Sequence, residues 1–260
     1  MVSYQLFAPE GIGSVQPGDR LAQILGDAFV AEGLVPQDGD ILLLAHKIVS
    51  KAEGRLYRLA EVVPSPRAVE LSARTGKEAA LVELILRETS EVLWAQPGLL
   101  LCRHRLGFVC ANAAVDCSNA GEGSAVLLPV DSDRSAAQLR SELEQRFHCR
   151  LGVVICDTHG RPFREGAGGI AIGASGVSML KSYVGQTDRN GRLMHSSVEA
   201  TGDEMAAAAT LLMEQGNAGR PAVLIRGLSL GGDDTAAAAL RNNERDVFLS
   251  TLQNLNRGKS

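Results

Sequence analysis

Apolar positions along this chain fall into two periods, and the switches between them outline a fold. Short unbroken runs read as buried strands: Ile41-Leu42-Leu43-Leu44-Ala45, Leu99 to Cys102, Ala125 to Leu128, Val153 to Cys156 and Ala222 to Gly227. Val92-Leu93-Trp94 and Gly169-Ile170-Ala171-Ile172 are shorter runs of the same kind, and Val2 to Phe7 reads as an edge strand. Helical spacing takes over at Leu21, Ile24, Leu25, Ala28 and Phe29, with Asp19 as the expected N-cap and Gly33 as the stop. Pro64 to Glu88 predicts two helices broken at Thr75-Gly76, the second with Leu81, Leu84 and Ile85 on one face. Asp133 is expected to cap a helix that turns Ala136, Leu139, Leu143 and Phe147 inward. Val177 to Val184 reads as a short helix and Glu199 to Met213 as an Ala-rich one. Val247, Thr251, Leu252 and Leu255 mark a closing helix. Strands and helices interleave without repeats or low-complexity linkers. The expectation is an α+β protein with mixed sheets and flanking helices, residues 1–260 forming a single domain of two interleaved, closely joined lobes.

Composition narrows this picture. The 260 residues are 45% hydrophobic with a net charge of −4, so the chain can bury a large core and does not suit coating nucleic acid. With 28 glycines and only 4% aromatics, ligand contact through tight backbone turns is favoured over base-stacking platforms. Cys102, Cys110, Cys117, Cys149 and Cys156 form no CxxC pair, which points to reduced, mostly buried thiols in a cytoplasmic protein. The opening MVSYQLFAPEG has no basic segment followed by an apolar core, and no apolar run reaches the length of a membrane span. Neither a membrane nor a nucleic-acid partner is expected. Trp94 is expected in the core, Arg103-His104-Arg105 on the exposed face of a strand, and Cys117 as a small packed residue. His148-Cys149 reads as structural.

Chemistry concentrates in Val153 to Gly176. The apolar run ends on Asp157-Thr158, a carboxylate and a hydroxyl in succession. His159-Gly160-Arg161-Pro162 then turns the chain, with guanidiniums at Arg161 and Arg164. Hard oxygen ligands beside arginines and Gly-rich backbone suit a divalent cation that carries phosphate oxygens. A plain turn cap explains Asp157-Thr158 equally well. Similar pairs of readings hold elsewhere. Gly11 to Gln16 is a ligand-reaching loop or a turn. His46-Lys47 and Lys51, just past the Ile41–Ala45 strand, are an anion site or a solvated basic exit. Asp116, Ser118 and Asn119 form a second oxygen-rich loop, and Asp116 meets Asp157 across a cation only if the fold joins the two. The glycines after Met213 stop a helix or contact a nucleotide.

Taken together these loops resemble the GTP-dependent gamma-glutamyl ligases that extend the deazaflavin coenzyme F-420. The matching segments are Ser50-Lys51-Ala52-Glu53-Gly54-Arg55, Ala111-Asn112-Ala113 with Asp116 and Ser118-Asn119, Asp157-Thr158 with Gly160-Arg161 and Phe163-Arg164, Ala171-Ile172-Gly173 with Ser175-Gly176, and Val223 to Leu228. The resemblance implies a nucleotide site at Gly13, Ser14, Val15, Gln16, His46, Lys47, Lys51 and Asn119. That site continues through Met213, Glu214, Gln215, Gly216, Asn217, Ala218, Gly219 and Arg220. It implies Mg²⁺ or Mn²⁺ (two ions, with K⁺ as a further cofactor) on Asp116, Asp157, Thr158 and Gln215. Asp157 and Lys51 would carry the catalytic role, GTP would be co-substrate, and a homodimer is implied. The reaction implied joins L-glutamate to coenzyme F-420-0 through an acyl phosphate. Its polyanionic substrate must find local charge, for which Arg161, Arg164, Lys181, Arg189 and Arg226 are candidates. The chain departs from the family pattern at Gly13 (usually proline), Ala114 (usually glycine) and His46-Lys47 (usually small hydroxyl residues). A C-terminal nitroreductase-like domain is not expected. A metal-dependent phosphohydrolase and a non-catalytic nucleotide- or deazaflavin-binding module are the alternatives.

Overall fold

The computed structural model describes residues 1–228, 231–241 and 246–257. In chain order the elements are β1 (Gln5–Phe7), α1 (Leu21–Ala31), β2 (Ile41–Ala45), α2 (His46–Ala52), β3 (Leu56–Arg58), α3 (Pro66–Thr75) and α4 (Ala79–Arg87). There follow β4 (Thr89–Gln96), β5 (Leu99–His104), β6 (Val109–Ala111), β7 (Ser124–Val126), α5 (Ser132–Phe147), β8 (Gly152–Arg161) and β9 (Arg164–Ser175). The chain closes with β10 (Lys181–Ser182), β11 (Val198–Glu199), α6 (Thr201–Met213), β12 (Ala222–Arg226) and α7 (Val247–Arg257). The fold is α+β, as expected.

The main sheet runs β1-β12-β2-β8-β9, with β2 and β8 parallel and the other pairs antiparallel. Its central stretches, Ile41–Ala45 of β2, Val153–Cys156 of β8 and Ala222–Ile225 of β12, are apolar at every position because both faces are covered. Leu42, Leu44, Val153, Ile155 and Leu224 pack beneath α1 and α5, against Leu25, Phe29, Leu139 and Leu143. Ile41, Leu43, Val154, Val223 and Ile225 point the other way, against Met205, Ala206 and Ala209 of α6. Residues 56–127 build a third core from Leu71, Val82, Leu84, Ile85, Leu100 and Leu127. Two glycines of β9 let the helices close on the sheet. A Cβ on Gly169 would lie 2.4 Å from the Ala206 carbonyl oxygen, and one on Gly173 would lie 2.5 Å from the Ser132 backbone.

Several expectations are corrected. β8 does not end at Cys156: it continues through Asp157, Thr158 and His159 to Arg161, because β9 offers an antiparallel partner at each step. The turn falls at Pro162-Phe163, where Phe163 has φ of 64° and is 89% exposed. Asp157 therefore sits inside a strand and caps no turn. Asp19 is not the N-cap of α1: Arg20 occupies that position, while Asp19 Oδ2 accepts the Gln16 N–H at 2.7 Å. Asp131 caps α5, and Asp133 Oδ1 instead accepts the N–H groups of Ala174 and Ala236. Val177 to Val184 forms no helix; the segment is tied into the β10–β11 hairpin. Trp94 is only partly buried and Cys117 is exposed. His104, far from lying on an exposed face, is wholly buried. The closing helix is present but buries Leu249, with Val247 at its exposed side; the side chain of Leu255 lies outside the described residues. Among the described residues no helix is long and apolar enough to cross a membrane.

Candidate active site

Strand register assembles the site. The parallel pairing of β2 with β8 puts Ala45 opposite Cys156, so the next residues, His46 and Asp157, emerge side by side. His46 Nε2 lies 3.4 Å from Asp157 Oδ1. The antiparallel pairing of β12 with β2 brings Pro221 to Ala45, whose N–H donates to the Pro221 carbonyl at 2.9 Å. That pairing swings the loop after α6 over the same sheet end. A cavity of about 380 Å³ opens there, within the range of small-molecule sites.

Five segments line it. Gly13, Ser14 and Val15 come from the first loop, pinned by burial of Ile12 and Val15 in the core, so that Gly13 and Ser14 stay exposed. His46, Lys47 and Lys51 come from α2; Asn119, Asp157 and Thr158 complete the floor. Met213, Glu214, Gln215, Gly216, Asn217, Gly219 and Arg220 form the far wall. Of the residues singled out from the sequence, Gln16, Ala218 and Asp116 do not line this cavity. Ile12, Ala45, Ile48, Cys156, Thr210 and Pro221 line it too; their apolar or unremarked character gave no signal.

Lys51 Nζ donates to the Asn119 carbonyl at 2.7 Å, which ties α2 to the 116–119 loop. Burial, with the charge of Lys47 nearby, pulls Lys51 below the usual lysine range. Lys47 Nζ reaches Asp116 Oδ2 at 2.7 Å and Ser118 Oγ at 2.6 Å. Ser118 also donates its N–H to Asp116 Oδ1 and its hydroxyl to Oδ2. Burial works against the charge on Asp116, but these bonds and the lysine hold its carboxyl below the usual range. Lys47 thus stands between Asp116 and the cavity. Arg220 donates to the Leu212 carbonyl at 2.8 Å and pairs with Glu214.

Asp157 is the electrostatic centre. Burial opposes its ionisation; the adjoining His46, the hydrogen bond from His159 and the Thr158 N–H outweigh that and keep its pKa low. His46 itself is pushed down by burial against the pull of Asp157. Its buried Nε2 has no hydrogen-bond partner in good geometry. Thr158 Oγ1 lies 3.4 Å from Gln215 Oε1. Carboxylate, hydroxyl and amide oxygens thus converge on one cavity beside two lysines. Among the described residues no three His, Cys, Asp or Glu side chains form a metal cage. Such a donor set fits a hard divalent ion that completes its shell with phosphate and water oxygens. Asp116 fits less readily, since both its oxygens are taken.

The remaining candidates lie elsewhere. Arg161, Arg164, Lys181 and Arg189 are exposed, the first two at the tip of the β8–β9 hairpin. Arg226 is committed to the buried Asp40, with Nε at 3.0 Å from Oδ1 and Nη2 at 2.6 Å from Oδ2. Sequence reasoning missed His159, whose Nε2 lies 2.9 Å from Asp157 Oδ2. The signal was its spacing: residues two apart on a strand share a face.

An α+β sheet whose strand ends gather oxygen donors, lysines and glycine-rich backbone around one cavity has the layout of an enzyme site for a small anionic ligand. The comparisons make this specific. The model of the F420-0:Gamma-glutamyl ligase family matches residues 11–227, and the chain belongs to that family. A coenzyme F420:L-glutamate ligase of Methanopyrus kandleri is 46% identical over 239 residues, covering 90% of this chain and 93% of the relative. Proteins of the same name from Archaeoglobus fulgidus and Methanothermobacter thermautotrophicus are each 43% identical, covering 96% and 94% of this chain and 98% of each relative.

Proposed function

We propose that this ligase uses GTP and a divalent metal to add L-glutamate, through gamma-linkages, to coenzyme F-420-0, with release of GDP and phosphate. The observation that carries the reading is the convergence of Asp157, Thr158 and Gln215 on a cavity flanked by Lys47 and Lys51. In the first step a substrate carboxylate oxygen attacks the γ-phosphorus. The bond from phosphorus to the β-γ bridging oxygen breaks, and GDP leaves. In the second step the glutamate amine attacks the acyl carbon, phosphate departs with the carbonyl-bound oxygen, and the amine's proton passes to solvent. Both steps crowd anions together. Lys51 and Lys47 would neutralise phosphate oxygens, and the backbone of the 213–220 loop would supply fixed N–H dipoles. Asp157, Thr158 and Gln215 would hold Mg²⁺ or Mn²⁺, which would supply charge neutralisation at the phosphates. The preference for GTP over ATP rests on the resemblance of the loops alone.

Mass spectrometry of the deazaflavin after incubation with GTP, Mg²⁺ and L-glutamate tests this. Stepwise glutamyl increments with matching GDP release are expected. Phosphate release without glutamyl addition would instead mean a phosphohydrolase, and tight nucleotide binding with neither product a binding module.

A further inference from the structure

We propose that His159 is the positioning residue of the Asp157 carboxylate, and that Phe108 holds the His159 ring in place from the β5–β6 hairpin. The inference rests on the reading of Asp157 as a metal-binding group. The C–C torsion that orients an aspartate carboxylate is broad, so an isolated Asp157 would present its oxygens over a wide range of planes. His159 Nε2, 2.9 Å from Oδ2, selects one. An ionised carboxylate only accepts, so Nε2 carries the proton and Oδ2 is engaged. The remaining oxygen, Oδ1, is the one beside His46.

The ring of His159 is itself set by its surroundings. Its partner across the β8–β9 ladder is Gly168, which has no side chain to brace it. Bracing comes from Phe108, whose ring centroid lies 5.4 Å away at an interplanar tilt of 53°. Phe108 in turn stacks on His104 at 5.0 Å, with the two rings 3° from parallel. His104 is buried, and its Nδ1 accepts the Leu106 N–H at 3.0 Å, which fixes that ring. Three aromatic rings therefore run from the buried end of β5 to the carboxylate at the cavity floor. Groups that orient a ligating side chain typically change metal affinity 10–100-fold when removed.

The test titrates Mn²⁺ into the protein with saturating GDP, counting free ion by electron paramagnetic resonance. His159→Phe keeps a ring against Phe108 and loses the donor; its Mn²⁺ Kd should rise about 10- to 100-fold, with the thermal midpoint and GDP binding close to wild type. His159→Gln restores an N–H and should recover most of the affinity, which a purely packing role would not. Phe108→Leu should give a smaller loss in the same direction and keeps the test open if His159→Phe does not fold. Mn²⁺ affinity within twofold of wild type in folded His159→Phe, or no recovery in His159→Gln, overturns the inference. Wild-type protein that binds GDP but no Mn²⁺ would overturn the metal reading of Asp157 instead.

Discussion

Glu88 is 4% exposed at the end of α4, and it gathers three partners. Arg55 Nη2 lies 2.8 Å from Oε1, while Arg105 Nε and His104 Nε2 lie 3.0 and 3.5 Å from Oε2. Burial alone would raise its pKa; the His104 and Arg55 hydrogen bonds, with the charges of Arg55 and Arg105, reverse this and set it at about 2. A carboxyl that falls from 4.5 to about 2 on folding contributes roughly 3 kcal/mol when ionised. Because the folded pKa is the lower one, that stability is complete above pH 4.5 and is lost as pH falls toward 2. At pH 3 roughly 1 kcal/mol of it remains. His104, whose pKa burial lowers, also costs stability in acid, but its limb begins near pH 6.5.

Replacing Glu88 by Gln keeps the shape and removes the charge. At pH 7 the variant should be less stable by about 3 kcal/mol, from lost ionisation and two partly buried guanidiniums without a counterion. Urea unfolding followed by fluorescence of Trp94, which lies on the adjoining β4, reads this directly. Carboxyl ¹³C NMR of the wild type should show Glu88 still ionised at pH 3. A Glu88 titration midpoint near 4.5, or a difference below 1 kcal/mol at pH 7, would refute the reasoning.

Four further outcomes follow from the same geometry. Asp157→Asn should collapse turnover at low Mg²⁺ and recover in part as Mg²⁺ is raised; an unshifted magnesium curve would remove Asp157 from the metal site. Lys51→Ala should weaken GTP binding about ten- to a hundredfold, as expected for a lost charge-assisted phosphate contact, with normal thermal unfolding as the control. Lys47→Met removes the ammonium that saturates Asp116, so Mn²⁺ binding measured without nucleotide should tighten; equal affinity would mean that Asp116 takes no metal. Ala114 has φ of 54°, a left-handed conformation in which glycine is unstrained, so Ala114→Gly should raise the unfolding free energy by up to about 1 kcal/mol.

What the sequence disclosed and what it hid divide along a physical line. The unbroken apolar runs at Ile41–Ala45, Val153–Cys156 and Ala222–Arg226 were legible because burial on both faces leaves no polar alternation. The two helices of Pro64 to Glu88 were legible because Gly76 breaks them chemically: it is the left-handed C-cap of α3. Misplaced features depended on a distant partner. The strand through Asp157 to Arg161 exists because β9 pairs with it, although Gly166, Gly168 and Gly169 argue locally against a strand. His104 flanked by two arginines looks like an exposed face until Glu88, sixteen positions earlier, arrives beneath it. Capping errors at Asp19 and Asp133 were of one or two residues, because neighbouring positions offered competing acceptors.

The active-site residues show the same division at finer scale. Asp157, Lys51 and Gln215 were named by motif, but nothing in a motif states what faces them. Parallel register alone decides that His46 adjoins Asp157, and antiparallel register alone brings Gln215 to Thr158. The residues that registers and ring packing add, His159 and Phe108, carry no signal as isolated letters. On the proposed metal-binding role of Asp157 they become meaningful, because that carboxylate must then be held in one orientation. On the same proposal, differences from relatives in metal use should trace to what surrounds Asp116 and Asp157, rather than to the two carboxylates themselves.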